Sequence, residues 1–242
     1  MEREYEFVEL DSVASTQDEV RHRLESKPVV VVARTQTAGR GRRGNTWENA
    51  DRSLALSVGL TLPWSPEELT VLPLTAGVIV AEALDDRCDT FLKWPNDLVD
   101  DAGGKLGGIL VESERSQPAR VIIGIGLNLV WQTPPPDRAA VGGSWDDDSR
   151  LELAHRLTVD LIAAIDQPGR WPRSRYVRRC VTIGSDIVWK PDGAGRAIDI
   201  APDGGLIVET DSGEVELRSG AVWSVSGATL PRPRAGSEGD GS

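Results

Sequence analysis

Three apolar runs constrain the fold of this chain more than any other feature of its sequence. They are VVVVAR at 29–34, SLALSVGL at 53–60 and VIIGIGLNLV, which lies in a segment at 120–130. Each run has the length of one buried strand and is well short of the roughly 18 apolar residues that a transmembrane helix requires. We therefore predict a β-sheet at the core of a globular domain, and no contact with a membrane.

Weaker patterns predict the other elements of this domain. Residues 5–10 alternate apolar and acidic side chains, as a half-buried strand does, and further strands are expected near 90–94 and 106–112. A helix is expected to begin near Thr16, which has Glu19 at the spacing of a capping box. The mixture predicts an α/β or α+β domain, of which we choose α+β, with helices packed on one side of a mixed sheet.

Two further helices have start signals of their own. Ser65 is an N-cap candidate with a proline next to it, but Pro73 is expected to break that segment and leave the main helix at 73–85. Ser149, with a glutamate three residues later, predicts a second helix that continues to about residue 166.

The character of the sequence changes after an arginine-rich segment at 170–179. Five short strands follow, separated by Gly, Pro and Asp turns, and they predict a small SH3-like β-barrel. We therefore divide the chain into a catalytic domain at 1–180, the barrel at 181–227 and a tail at 228–242. The tail has almost no apolar residues and is expected to be disordered.

The overall composition excludes several classes of protein. With 38 acidic and 27 basic residues the net charge is −11, which argues against DNA as a partner. The N-terminus, MEREYEFVEL, is acidic where a signal peptide is basic, so a cytoplasmic location is expected. Cys88 and Cys180 fit no metal or disulfide spacing, and with only two histidines no metal site is predicted.

Lysine is scarce in this chain. The basic residues include only Lys27, Lys93, Lys105 and Lys190, the rest being arginine. An acid-rich, lysine-poor composition indicates either adaptation to a salty interior or a genome that favours arginine codons. In either case a lysine inside a glycine-rich motif is a candidate for function.

The first of three glycine-rich segments is TQTAGRGRRGNTW, at 35–47. Three arginines alternate with glycines, so the segment could be a nucleic-acid arm, a loop that grips phosphate or a solvated turn. It is not a P-loop, because GxxxxGK[ST] does not occur in the chain. With no acidic residue between Glu25 and Glu48, the arginines create a cationic field, and glycines let backbone N–H groups approach an anion.

The second segment, KWPNDLVDDAGGKLGGILVE, contains two of the four lysines. Lys105 follows Gly104 and precedes Gly107 and Gly108, which is a suitable setting for holding a carboxylate or phosphate oxygen. For Asp97, a turn cap and a functional group are equally good interpretations. Trp94 is better interpreted as a core residue.

The third segment places alternate glycines, Gly124 and Gly126, inside an apolar strand. Glycine weakens a strand unless something approaches the backbone closely, so we expect a ligand beside these residues. Asn128 could hydrogen-bond that ligand or satisfy a neighbouring loop.

In combination, ST at 15–16, QTAGRGRRGNTW, KWPNDLVDDAGGKLGGILVE and IGIGLNL closely resemble the biotin–protein ligases over about residues 8 to 226. One residue departs from the family pattern, because Gln17 stands where Asn usually follows Ser-Thr. The resemblance implies a class II synthetase-like catalytic fold, followed by the SH3-like barrel. It also implies the reaction: ATP activates biotin to biotinyl-5′-adenylate, and biotin then passes to a lysine of a biotin carboxyl carrier protein or domain.

The resemblance also implies roles for individual residues. The catalytic residues would be Arg40, Arg42 and Lys105. Biotin would be bound by these three together with Ser15, Thr16, Gln17, Gln36, Gly39, Gly41, Gly108, Gly124 and Gly126. ATP would be bound by the same three together with Arg43, Trp47, Lys93, Asn96, Asp97 and Asn128, with Mg²⁺ accompanying the nucleotide. The glycine loop, which is the segment at 35–47, would open for substrate and close over the adenylate to exclude water.

Several alternatives stay open at this point. A lipoate–protein ligase shares the fold, and some family members are biotin-sensing repressors with an N-terminal helix-turn-helix domain, for which a first strand near Tyr5 would leave no room. A binding module built on the barrel is a third alternative. The basic segment at 170–179 is most simply a solvated helix, and contact with an acidic carrier is the other interpretation. A homodimer is compatible with the resemblance.

Overall fold

A seven-stranded mixed sheet and a five-stranded antiparallel sheet organise the chain. The computed structural model describes five stretches: 4–114, 116, 118–166, 170–218 and 222–224. Within these stretches the side chains of Arg43 and Ser224 are not described. The predicted tail at 228–242 lies outside the described residues.

The larger sheet carries the predicted core. Its strands are β1 (Glu6–Val13), β2 (Val29–Gln36), β3 (Arg52–Leu62), β4 (Phe91–Lys93), β5 (Asp97–Val99), β6 (Lys105–Ser113) and β7 (Ala119–Val130). Their spatial order is β1-β2-β3-β7-β6-β5-β4, and only β1 and β2 pair in parallel among the described strands. The three apolar runs of the sequence are thus the three adjacent strands β2, β3 and β7.

Helices cover both faces of this sheet, so the prediction that they pack on one side is wrong. The helices are α1 (Thr16–Arg23), α2 (Pro66–Leu69), α3 (Leu72–Ala83), α4 (Asp147–Ile165) and α5 (Arg173–Arg179). Because side chains alternate along a strand, Val29 and Val31 pack in one cluster with α1, whereas Val30 and Val32 belong to the main core with α3 and α4. One valine-rich strand supplies both layers, and a continuous apolar run is typical of such a strand.

The predicted helix starts are confirmed only in part. The helix α1 begins at Thr16, but its N-cap is Ser15 and no side chain caps it, so the Thr16 capping box is wrong. The predicted cap of α4 at Ser149 is also wrong, because Asp146 is the N-cap and Ser149 is the third residue of the helix. Pro73 lies in the first turn of α3, which begins one residue earlier than predicted.

The second sheet lies at the C-terminal end of the described chain. Its strands are β8 (Asp186–Trp189), β9 (Gly193–Ile200), β10 (Leu206–Thr210), β11 (Gly213–Leu217) and β12 (Val222–Ser224). The order is β11-β10-β9-β8-β12, and among the described residues β11 and β12 form two open edges. The five short strands are therefore confirmed, and closure into a barrel stays a prediction.

The two sheets are joined through the WPND turn. The backbone N–H of Trp94 donates to the Thr182 hydroxyl at 2.9 Å, and its indole N–H donates to the Gly204 carbonyl at 2.9 Å. Trp94 is 3% exposed, which confirms its interpretation as a core residue. No helix among the described residues is long and apolar enough to cross a membrane.

The arginine-rich segment is a helix, α5, whose charges contact acidic residues of the chain itself. Arg173 pairs with Asp199 at 2.6 Å on the second sheet. Arg175 pairs with Glu82 at 2.9 Å. These contacts fasten α5 to both parts of the molecule and give Arg173 and Arg175 a structural role, while contact of the segment with a carrier stays a prediction.

Candidate functional site

A cavity of about 570 Å³ lies at the N-terminal end of α1, against the seven-stranded sheet. It brings together nearly all the residues that the sequence singled out. Those that line it are Ser15, Thr16, Gln17, Gln36, Arg40, Gly41, Arg42, Trp47, Lys93, Asn96, Asp97, Lys105, Gly108, Gly124, Gly126 and Asn128. Gly39 packs against Trp47 and Gln36 instead, since a Cβ there would lie 3.0 Å from Trp47 Cβ. The side chain of Arg43 is not described.

Hydroxyl and amide groups form one end of the cavity. The Gln36 side-chain oxygen accepts from the Thr16 backbone N–H at 2.9 Å and from the Thr16 hydroxyl at 3.1 Å. That hydroxyl also lies 2.8 Å from Ser57 Oγ, which is fully buried. These groups hold one another in place, and they offer a ligand both donors and acceptors in a water-poor environment.

The glycine- and arginine-rich segment forms an ordered loop at the edge of this cavity. Arg40 and Thr46 form an isolated antiparallel bridge, and Arg42–Gly44 makes one 3-10 turn. Gly44 has a φ of 78°, a left-handed conformation that glycine adopts at little cost. Because the loop directs Arg40 and Arg42 to the cavity, it is not a purely solvated turn.

Arg42 and Lys105 are each held by a neighbour from the WPND turn. Arg42 Nη1 donates to Asn96 Oδ1 at 3.0 Å, and Asn96 Nδ2 donates to the Ile109 carbonyl at 2.8 Å. Lys105 Nζ lies 2.6 Å from Asp97 Oδ1. Both cations are therefore oriented before any ligand arrives, and Asp97 acts here as an ion-pair partner.

The strand glycines Gly124 and Gly126 make room for two side chains of the chain itself. A Cβ at Gly124 would lie 3.1 Å from Gln17 Cδ, and a Cβ at Gly126 would lie 2.9 Å from the Trp47 ring. Both glycines also line the cavity, so a ligand beside this backbone stays a prediction. Gly108 lies beside the end of the Lys105 side chain, and a Cβ there would be in ordinary contact with Nζ at 3.4 Å.

Asn128 satisfies a neighbouring loop, which is one of the two roles that the sequence left open, and its contact with a ligand stays a prediction. Its amide nitrogen donates to the carbonyls of Lys105 and Ala139, each at 3.0 Å, and so ties the loop after β7 to the start of β6. Its side-chain oxygen is buried and has no partner among the described residues. A buried acceptor in a cavity wall is available to a ligand.

Sequence reasoning missed several residues of the cavity wall. Ser57 lies in an apolar run that gave no polar signal, and Arg138 lies between β7 and α4, outside the three glycine-rich segments. Val222 and Trp223 come from β12 of the second sheet, and Trp223 is 45% exposed. No local pattern indicates that so late a strand would reach this site.

The electrostatic character of the cavity is opposite to that of the chain. Five basic side chains line it against two carboxylates, in a chain whose net charge is −11. The basic residues are Arg40, Arg42, Lys93, Lys105 and Arg138. Two N–H groups of the cavity wall, Arg40 Nε and Trp47 Nε1, are buried donors with no partner among the described residues. The arrangement suits an elongated anion that has a neutral polar group at one end.

The described residues contain no group of three or more His, Cys, Asp or Glu side chains that could hold a metal. Cys88 and Cys180 are both unpaired. Burial raises the pKa of both thiols, and the effect is opposed by hydrogen bonds from neighbouring groups. Neither thiol is activated as a nucleophile.

Residues 9–128 match the model of the biotin/lipoate A/B protein ligase family. The chain is 36% identical over 217 residues to the biotin–[acetyl-CoA-carboxylase] ligase of Mycobacterium tuberculosis, which covers 80% of this chain and 78% of the relative. The chain belongs to this family. It is also 29% identical over 214 residues to the enzyme of the same name from Paracoccus denitrificans, over 80% of this chain and 89% of the relative.

A solved structure of a family member shows the same architecture. Biotin protein ligase from Aquifex aeolicus, in complex with biotin and ATP, superposes with a TM-score of 0.74 and 27% identity. The match covers 91% of this chain and 99% of that one. The similarity therefore extends through both sheets.

Proposed function

We propose that this chain is an ATP-dependent biotin–protein ligase. A biotin carboxylate oxygen attacks the α-phosphorus of ATP, pyrophosphate leaves, and biotinyl-5′-adenylate forms. The amine of a lysine on a biotin carboxyl carrier domain then attacks the acyl carbon, and AMP leaves. The observation that carries the proposal is the cationic cavity with one neutral polar end, in a family whose named relatives ligate biotin.

The polar end fits the ureido ring of biotin. Thr16, Gln36 and Ser57 supply the hydroxyl and amide groups, and Gln17, held against Gly124, forms the adjoining wall. A urea both donates and accepts hydrogen bonds, so an environment of fixed donors and acceptors selects it over a purely apolar ring.

The cationic middle of the cavity fits the reacting groups. A carboxylate and a triphosphate repel each other as they approach, so the first step requires positive charge around the forming bond. Asp97 orients Lys105 and Asn96 orients Arg42, and the loop adds a third cation, Arg40. The residues that we assign to the nucleotide are Trp47, Lys93, Asn96, Asp97 and Asn128. Asn96 acts through Arg42.

Several finer features belong to the same proposal. Mg²⁺ would enter on the phosphates of ATP as part of the substrate, because phosphates and one or two carboxylates suffice to bind it. The second sheet would close into an SH3-like barrel, with a domain boundary near residue 180. The carrier domain, a homodimer and a cytoplasmic location are expectations of the same kind.

Biotin-dependent exchange of pyrophosphate into ATP tests the proposal. We expect exchange with biotin and none with lipoate, followed by transfer of biotin to the target lysine of a carrier domain but not to its Lys→Arg form. Exchange with lipoate alone would favour a lipoate ligase. No exchange with either acid, together with a specific DNA complex in a gel-shift assay, would favour a repressor without ligase activity.

A further inference from the structure

Arg40 lies at the corner of a four-residue charge cluster that the proposed reaction leaves unexplained. Its Nη2 is 2.7 Å from Asp18 Oδ1 and 3.0 Å from Glu112 Oε2. Arg21 contacts the same two oxygens, at 2.7 Å and 3.0 Å. Two guanidinium groups therefore share two carboxylates, and the cluster is neutral.

The four residues come from three different parts of the fold. Asp18 and Arg21 belong to α1, whose first turn forms the polar end of the cavity. Glu112 belongs to β6, the strand that begins with Lys105. Arg40 is the only member from the glycine loop, so the cluster fastens the loop to two walls of the cavity at once.

The position of the cluster favours a mechanical role for the acids. Their side chains are 42% and 32% exposed, and neither Asp18 nor Glu112 lines the cavity. Carboxylates next to the path of two anions would oppose binding unless cations compensate them, and here Arg40 and Arg21 do so. A shared network also holds a side chain more firmly than one exposed ion pair does.

We propose that Asp18 and Glu112 are positioning residues that latch the glycine loop closed through Arg40 and so retain the acyl-adenylate. This inference rests on the proposed function for the identity of the retained intermediate, but the latch itself can be tested without any substrate. Arg21 is not part of the latch, because it contacts the acids without reaching the loop.

Trypsin cleavage after the loop arginines at 40, 42 and 43 measures the latch directly. Without biotin or ATP, Asp18→Asn and Glu112→Gln should each be cut there at least threefold faster than wild type, with mass spectrometry locating the cuts. Glu114→Gln is the matched control, since Glu114 lies two residues beyond Glu112 and pairs with Arg120, remote from the loop. Arg21→Gln should be cut no faster than wild type, because Arg40 then has both acids to itself. Unchanged cleavage in both acid variants overturns the latch.

Stray labelling of albumin in the presence of biotin and MgATP measures retention. We expect each acid variant to label albumin at least fivefold faster than wild type, approaching Arg40→Gly, while biotin-dependent pyrophosphate exchange falls less than threefold. Faster cleavage with unchanged labelling would overturn the retention role. A wild type that shows no exchange would overturn the proposed function and leave the cleavage result to decide the latch.

Discussion

At the scale of single residues, Lys105 shows how a neighbouring side chain orients one positive charge in the cavity. Asp97 holds its ammonium group at 2.6 Å, beside Gly108 in the cavity wall. We predict that Lys105→Ala keeps the fold and lowers pyrophosphate exchange by at least about a hundredfold, the scale of losing one charge-stabilising group. Lys27→Ala, which removes an exposed lysine paired with Glu4, is the control. Exchange at the wild-type rate in Lys105→Ala would remove this residue from the site.

Gly126 presents the opposite case, a residue defined by what it lacks. Adding a Cβ would bring it within 2.9 Å of the Trp47 ring, so Gly126→Ala must displace the indole. Overpacking of this kind costs about 1–3 kcal/mol, and we expect a lower Tm in thermal unfolding.

A double-mutant comparison separates this contact from a general weakening of β7. In a Trp47→Leu background the same Gly126→Ala change should cost distinctly less, because the smaller side chain can move away. Equal losses of Tm in the two backgrounds would mean that the glycine serves the sheet and not Trp47.

At the scale of elements, strong apolar patterns were sufficient to predict strands, but the sequence did not decide between neighbouring residues that could each cap a helix. The strands β2, β3 and β7 follow directly from their apolar runs. The cap of α4 did not, because Asp146 and Ser149 are both good caps and the structure uses them together. Ser149 N–H donates to Asp146 Oδ1 at 2.8 Å, and Asp146 N–H donates to Ser149 Oγ at 3.0 Å. The strand β5 has only three residues, too few to show a period.

The site was predictable to the extent that it was built from motifs. The glycine loop, Lys105 and Asn128 each lie in a segment with unusual composition, and the structure brings them together. Ser57 and Trp223 could not be found in this way, because one is a small polar residue inside a core strand and the other arrives from a separate sheet. Both residues reach the cavity wall through the arrangement of the strands and sheets in space, which local sequence patterns do not encode.

The packing of α5 makes the stability of the protein depend on pH, because two ionisable groups are buried in and next to this helix. Burial, reinforced by the neighbouring Cys180 thiol, raises the pKa of Tyr176 well above its ordinary value of 10.0. Burial likewise raises the pKa of Cys180 above 9.0. Unfolding therefore releases protons at alkaline pH, and this part of the stability is complete below about pH 9 and is lost as the pH rises beyond it.

We predict that Tyr176→Phe flattens the alkaline loss of stability. The variant keeps the buried ring and removes the ionisable hydroxyl, so its unfolding free energy at pH 7 should change by no more than about 1 kcal/mol. Denaturant unfolding between pH 7 and 11 measures the difference. Parallel stability curves for variant and wild type would show that Tyr176 does not contribute to the alkaline transition.

At the scale of the whole molecule, salt should act on folding and on substrate binding in opposite directions. Screening at ~1 M salt shortens the Debye length to about 3 Å and relieves the self-repulsion of a chain with net charge −11. The same screening weakens the attraction of anions to Arg42 and Lys105. We therefore predict that KCl raises Tm while it raises the KM for ATP.

The comparison of low and high salt also decides between the two explanations of the composition. A Tm that is flat or falls between ~0.1 and ~2 M KCl would mean that the acidic surface is not a salt adaptation, and that the scarcity of lysine reflects codon preference. If KCl raises Tm but leaves the KM for ATP unchanged, the cations of the cavity are not exposed to screening by salt.

The strand β12 gives the cavity its last wall, and it is also the last strand described in the chain. A ribosome adds about 5–20 residues per second and releases the N-terminal part of a protein first. The seven-stranded sheet, α1 and the glycine loop therefore emerge before Val222 and Trp223, which complete the cavity wall. A nascent or prematurely ended chain would have the cations of the cavity but not the wall that β12 supplies, so the order of synthesis makes this wall the last part of the cavity to form.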